Sequence, residues 1–153
     1  MHYVLDDSFL TGCELIDGQH VKLIKAVNTL LDACEGEKGK EELAKSLEFL
    51  NQYTINHFFD EEQILKKYNY SDFYHHHQYH EGFTRKVRDF SKQYAVEGAS
   101  GDLIDKMQKQ IGSWLIEHIK GQDFRWAAEL KGKAPELFEG LSKGGRVSEA
   151  PAR

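Results

Sequence analysis

The stretch "NHFFDEEQILKKY", Asn56 to Tyr68, decides how this chain folds. Counted through it, Leu43, Leu47, Leu50, Thr54, His57, Glu61 and Ile64 follow one another at steps of three and four, the spacing of one buried helical face. Leu65 and Tyr68 close the stripe and "NYSD" stops it. Two members of the series are wrong for a core, because His57 and Glu61 stand where leucines are expected.

Three more segments carry the same period. Leu23, Ile24, Val27, Leu30 and Leu31 form the first stripe, ended near "CEGEKGK", where Gly36 and Gly39 can break a helix. Phe73, Phe83, Val87, Phe90 and Tyr94 form the third, with Ser71 or Asp72 as its cap. After "EGASGD" comes the fourth, with Leu103, Ile104, Met107, Ile111, Trp114, Leu115 and Ile119. Four amphipathic helices on short turns predict an all-α, up-down-up-down four-helix bundle over residues 1–130. Within it, residues 1–16 read as an arm without helical periodicity. Residues 131–153 hold both prolines and a Gly-Gly pair, and read as a C-terminal extension with at most one short helix, around Glu136 to Leu141, before a frayed end.

At 153 residues one domain is expected. The net charge of −5, with both signs interspersed, offers no basic face for nucleic acid and no polybasic anchor for a membrane. "MHYVLDDSFLTG" lacks the pattern of a secretory signal, so a cytoplasmic protein is expected. Cys13 and Cys34 are too few for a disulfide framework or a cysteine metal site and read as reduced thiols.

Histidine is the anomaly. Of eight, five lie between His57 and His80. The third stripe runs through His76 and His80, His118 continues the fourth after Leu115, and His20 heads the first, so each helix turns an imidazole inward. An unsatisfied buried polar group costs about 1–3 kcal/mol, and this many would consume a typical domain's stability. They must satisfy one another or something bound. Imidazole nitrogen and carboxylate oxygen are a donor set for iron, zinc or manganese. The i, i+4 pairs His57/Glu61 and His76/His80 put both side chains on one face a turn apart, able to share a metal or bracket two. Asp123 follows His118 by five residues, which an α-helix would turn away; five is the step of a π-bulge, so a bulge or break is predicted at residues 118–123. His75 and His77 flank a core position and are expected to face outward, and Glu62 reads as a solvated neighbour of Glu61.

Together, "IDGQH" with His20, "HFFDE" with His57 and Glu61, "HHQYH" with His76 and His80, and "HIKGQD" with His118 and Asp123 resemble the signature of the hemerythrin family. The likeness spans roughly residues 8–130, and the chain is similar to the bacterial single-domain members. It implies two iron ions in a non-haem di-iron site. By position His76, His80 and His118 hold one iron and His20 and His57 the other, while Glu61 and Asp123 bridge them with an oxo or hydroxo group. The second iron, with one imidazole fewer, keeps an open position for O2. By family position Leu23, Phe58, Trp114, Leu115 and Ile119 line the oxygen pocket, and all are apolar here.

The function this resemblance implies is reversible dioxygen binding for storage, delivery or sensing by a monomer that is not an enzyme, with a redox or signalling partner left open. The His-rich set contrasts with the four carboxylates and two histidines of ferritin-like di-iron proteins, which favours carriage over oxidation. The alternative is a di-iron enzyme that reduces O2, peroxide or nitric oxide, for which Tyr53 and Tyr79 are candidate electron carriers. Gly82 departs from a good helix interior and could permit close packing or a path to the metal.

Overall fold

The computed structural model describes residues 3–35, 39–98 and 100–143. Three rods are continuous helices: α1 (Glu14–Glu35), α2 (Gly39–Lys67) and α3 (Phe73–Glu97). The fourth is composite, with α4 (Gly101–Met107), α5 (Trp114–Glu117) and α6 (Phe124–Lys133) joined by two π-helical turns, Gln108–Ser113 and His118–Asp123. α1 packs on α2, α2 on α3, α3 on the fourth rod, and the first π-turn returns to α1. This is the expected all-α four-helix bundle. Among the described residues no helix is long and apolar enough to cross a membrane.

The rods are set by local chemistry. The Asp17 carboxylate accepts from Thr11 N at 2.7 Å, Thr11 Oγ1 at 2.8 Å and Gly12 N at 3.0 Å, tying the arm down just as α1 begins. Gly12 takes φ +101°, where a side chain would be strained. α1 thus starts at Glu14, inside the stretch read as arm, and a short 3-10 turn, Asp7–Phe9, precedes it. Between α2 and α3, Asn69 at φ +56° is the left-handed residue of a Schellman motif, with Tyr70 N donating to Leu65 O and Asn69 N to Lys66 O. Asp72 does occupy the N-cap of α3, but its side chain makes no cap bond because it lies 2.6 Å from His75 Nδ1. Gly39 opens α2 rather than breaking a helix, and Gly36 lies outside the described residues.

Two apolar clusters divide the interior. The larger gathers Leu23, Ile24, Leu50, Phe58, Phe83, Leu115 and Ile119 among others; the smaller holds Cys13, Ile16, Leu65, Tyr70, Trp126, Ala127 and Leu130. Along every rod the inward polar residues fall at the boundary: His20 between Ile16 and Leu23, Glu61 between Phe58 and Leu65, His76 and His80 between Tyr70 and Phe83, Asp123 between Ile119 and Trp126. The bundle is thus two apolar compartments with a polar layer between them.

The segment read as an extension belongs to the smaller compartment. A 3-10 stretch, Pro135–Lys143, stands against α1 and α6, and Leu137 and Phe138 pack on the cluster of Trp126 and Leu130. The expected frayed end, residues 144–153, lies outside the described residues.

At Gly82 an added Cβ would meet nothing within 4 Å, so this glycine serves neither close packing nor a narrow contact. Gly82→Ala is expected to stabilise the metal-free protein by about 1 kcal/mol through helix propensity alone, read as a higher denaturant midpoint at unchanged slope.

Candidate metal centre

Seven side chains from all four rods meet in the polar layer, each at most 5 % exposed. Glu61, His76, His80, His118 and Asp123 form one group, and His20, His57, Glu61 and Asp123 a second; within each, one donor atom per residue lies within 4.8 Å of all the others. Glu61 and Asp123 belong to both. Glu61 Oε1 lies 2.5 Å from His76 Nε2 and 3.2 Å from His80 Nε2, while its Oε2 lies 3.5 Å from His57 Nε2 and 3.9 Å from His20 Nε2. Asp123 divides in the same way: Oδ1 is 3.2 Å from both His76 Nε2 and His118 Nε2, and Oδ2 is 2.9 Å from His20 Nε2. Each carboxylate turns one oxygen to either group, and the imidazoles converge through Nε2.

Asp123 reaches this layer because the fourth rod is not a plain α-helix. The π-turn His118–Asp123 absorbs the five-residue step and returns the carboxylate to the face of His118. The predicted bulge is therefore present, and Trp126 Nε1 holds Asp123 Oδ1 at 3.3 Å from the following turn. The other π-turn, Gln108–Ser113, had no counterpart in the apolar spacing. There a Cβ on buried Gly112 would come within 2.8 Å of the Tyr3 hydroxyl, so the arm and this turn press together.

The electrostatics show what the layer lacks. Burial and the neighbouring Asp123 push the Glu61 carboxyl up, yet hydrogen bonds from His76 and His80 hold it at about 2. Burial pushes Asp123 up too, and the His118, His20 and His76 rings hold it well below the usual carboxylate range. Burial pulls His76 down, but its bonds to Asp123 and Glu61 lift it to about 10, and His20 is raised against burial by Asp123. His57 is driven by burial down to about 3 despite Glu61, and His118 is lowered by burial. Without a metal, a proton on His76 is left to answer the two anions, and Asp123 draws His20 in the same direction. The compensation is incomplete, because His20 Nε2, Glu61 Oε2 and Asp123 Oδ2 are buried without an aligned hydrogen-bond partner. These three atoms face one another within the second group, where a cation would engage all of them. The nitrogen and oxygen donors, with no sulfur, suit iron, zinc or manganese.

Residues outside the seven shape the layer. Gln19 Oε1 is 2.7 Å from His57 Nδ1, and Gln19 Nε2 donates to Asp60 at 2.8 Å. Glu62 is not the solvated neighbour its position suggested. Its Oε2 lies 2.7 Å from His80 Nδ1 and its Oε1 2.7 Å from His77 Nδ1, and His77 Nε2 reaches exposed Glu81 at 3.1 Å. His77 is accordingly half-buried, whereas His75 faces outward as expected. Burial raises the Glu62 carboxyl, but bonds from His80 and His77 bring it below the ordinary value. No helical period predicts such contacts, since they depend on how α1, α2 and α3 are rotated against one another. The expected pocket residues lie alongside: Leu23, Phe58, Leu115 and Ile119 are buried in the larger cluster and Trp114 is half-buried against it. Phe58 stacks on His80 at 3.7 Å and Trp114 on His118 at 4.6 Å between ring centroids.

Known proteins resemble this chain over most of its length. The family profile described as the hemerythrin HHE cation binding domain matches residues 11–130. The chain belongs to the hemerythrin family. This hemerythrin chain is 30% identical over 152 residues to a bacteriohemerythrin of Pseudomonas paraeruginosa, covering 99% of this chain and 97% of the relative. It is 25% identical over 142 residues to a bacteriohemerythrin of Stenotrophomonas maltophilia, covering 93% and 90%. To a myohemerythrin of Riftia pachyptila it is 30% identical over 128 residues, covering 84% and 93%. The bacterial match over 152 residues extends beyond residue 130, so likeness to that relative includes the segment read as an extension.

The charge balance predicts how the metal-free hemerythrin responds to pH. His76 rises from 6.5 to about 10 on folding, so its contribution is full below 6.5 and fades as pH climbs through 10. Glu61 falls from 4.5 to about 2, so its contribution is full above 4.5 and fades as pH drops toward 2. The denaturant midpoint of metal-free protein is expected to be highest between these limits and to fall from pH 7 to 10. In metal-loaded protein the alkaline fall should be absent, because the cation replaces the protons.

Proposed function

We propose that this protein binds dioxygen reversibly at a non-haem di-iron centre, for storage, delivery or sensing. The observation that carries the reading is the pair of donor groups sharing Glu61 and Asp123, each carboxylate with one oxygen toward either group. His76, His80 and His118 would hold one iron and His20 and His57 the other, with Glu61 and Asp123 between them. Iron held there would supply the electrons by which dioxygen is bound, chemistry that amino-acid side chains do not offer. The imbalance between three imidazoles and two leaves the group of His20 and His57 as the side with room for a ligand.

The chain's own work is to position donors and exclude water. Asp123 is held by Trp126 and by the π-turn, and the ring faces of His80 and His118 are covered by Phe58 and Trp114. Leu23 follows His20 by one turn of α1, while Leu115 and Ile119 flank His118 on the fourth rod; all three are buried. Apolar walls keep out the water and acids that would turn binding into oxidation.

One observation favours a second reading, a di-iron enzyme that reduces O2, peroxide or nitric oxide. The line from His80 through Glu62 to His77, hydrogen-bonded at both steps, continues to exposed Glu81, 3.1 Å from His77 Nε2, and gives the layer a polar route to water, which a reductase needs and a carrier does not.

The deciding experiment is an absorption spectrum of iron-loaded, reduced protein under argon, then oxygen, then argon, with metal content measured in parallel. Carriage gives a visible band that comes and goes with oxygen at two irons per chain; irreversible oxidation with oxygen consumed gives first place to the enzyme. Glu61→Ala is expected to lose both irons, and two tightly held irons in that variant would refute the shared role of this carboxylate. Leu23→Glu is expected to abolish or strongly weaken oxygen binding by placing a carboxylate beside His20. Unchanged binding would move the pocket elsewhere.

A further inference from the structure

We infer that Glu62 and Gln19 are positioning residues that make the two metal positions chemically unequal, Glu62 strengthening His80 as a donor and Gln19 orienting His57 more weakly. The inference rests on the di-metal reading above and extends it beyond the seven donors to the residues behind them.

The argument begins with which ring nitrogen carries the proton. Gln19 Nε2 donates to the Asp60 carboxylate at 2.8 Å, which fixes the amide so that Oε1, an acceptor, faces His57 Nδ1 at 2.7 Å. His57 must then donate from Nδ1, leaving the Nε2 lone pair turned into the layer. Glu62 imposes the same tautomer on His80. An ionised carboxylate only accepts, so His80 Nδ1, 2.7 Å from Oε2, is the donor, and its Nε2 faces Glu61 Oε1 and His118 Nε2, both at 3.2 Å. The other oxygen of Glu62 is engaged by His77 Nδ1 at 2.7 Å, so the carboxylate cannot swing away. Phe58, stacked within 4° of parallel on His80, fixes the ring plane.

Each group therefore has one imidazole braced from behind, but the braces differ in charge. Behind His80 stands a carboxylate; behind His57 stands a neutral amide. A hydrogen bond to an ionised acceptor is roughly twice as strong as a neutral one, and it pushes electron density through the ring toward the opposite nitrogen. By contrast His20 Nδ1 and His76 Nδ1 are buried without a hydrogen-bond partner. The group of His76, His80 and His118 thus has both the extra imidazole and the anionic brace. The group of His20 and His57 has neither, and is the side expected to bind its metal more loosely and to leave a place for a further ligand.

The test uses the full chain, stripped of metal and titrated with cobalt(II) under argon, with the two dissociation constants read from the visible absorption of the bound ions. Glu62→Gln keeps the shape and removes the charge; Gln19→Leu removes the acceptor. Glu62→Gln is expected to weaken one of the two steps by about 10- to 100-fold, the usual effect of losing such a brace, and to change the absorption of that ion while the other stays within a few-fold. Gln19→Leu is expected to weaken the other step, and the double variant to show both effects. Melting of the metal-free variants separates positioning from folding: a loss of stability with both constants falling together would mean a structural role and overturn the inference. So would two unchanged constants, or both variants weakening the same step. Wild-type protein that takes up fewer than two cobalt ions would instead overturn the di-metal reading itself.

Discussion

Glu61 and Asp123 are buried in ionised form inside a helical bundle, and removing an ion from water costs several kcal/mol even after the surroundings relax. That cost is recovered only if positive charge stands close by. Without a metal it comes from imidazoles on the two rods that carry neither anion: His76 on α3, within 3.2 Å of both carboxylates, and His20 on α1, beside Asp123. The four rods are therefore held to one another by the need of two anions for partners as well as by apolar packing. Separation of the interior into two clusters follows, because a layer of such polarity cannot be interrupted by leucine without leaving a charge alone.

The same constraint explains which residues must be rigid. A donor that wanders by an ångström exposes a neighbouring charge, and four of the seven are braced by residues outside the set: His57 by Gln19, His80 by Glu62 and Phe58, His118 by Trp114, Asp123 by Trp126. Three of these five braces come from a rod other than the donor's own. Gln19 on α1 steadies a ring on α2, and Glu62 on α2 steadies one on α3. Site and fold are thus one set of contacts, and the polar layer fixes the rotation of each helix about its axis.

Much of this was legible in the sequence because helical periodicity leaves a gap wherever a polar residue takes a core position. His57 and Glu61, or His76 and His80, are conspicuous for that reason, and the five-residue step from His118 to Asp123 announced its own π-turn. What could not be read has a common cause. Glu62 is one residue from Glu61 and on a lone helix would point to solvent; only the placement of α3 brings His80 and His77 over it. Gly112 and Tyr3 meet across more than a hundred residues of chain, so the π-turn between them left no periodic mark. Leu137 and Phe138 carry no stripe long enough to show that they cover Trp126 and Leu130.

The second π-turn has a consequence for how such a chain can change over generations. An α-helix turns about 100° per residue, and a π-turn accommodates one residue more than the regular spiral would. The extra residue brings Asp123 round to His118 and also sets the rotation of everything after it, so that Trp126, Ala127 and Leu130 face the smaller cluster. Inserting a further residue there would swing the carboxylate and this apolar face away together, whereas deleting the extra one would leave the four-residue step by which a plain α-helix already keeps both on the face of His118. Exposed positions such as Glu117 and Ala128 are free to vary in kind, but the segment between His118 and Leu130 cannot lengthen. This part of the chain can drift by substitution or by loss of the extra residue and is closed to drift by insertion.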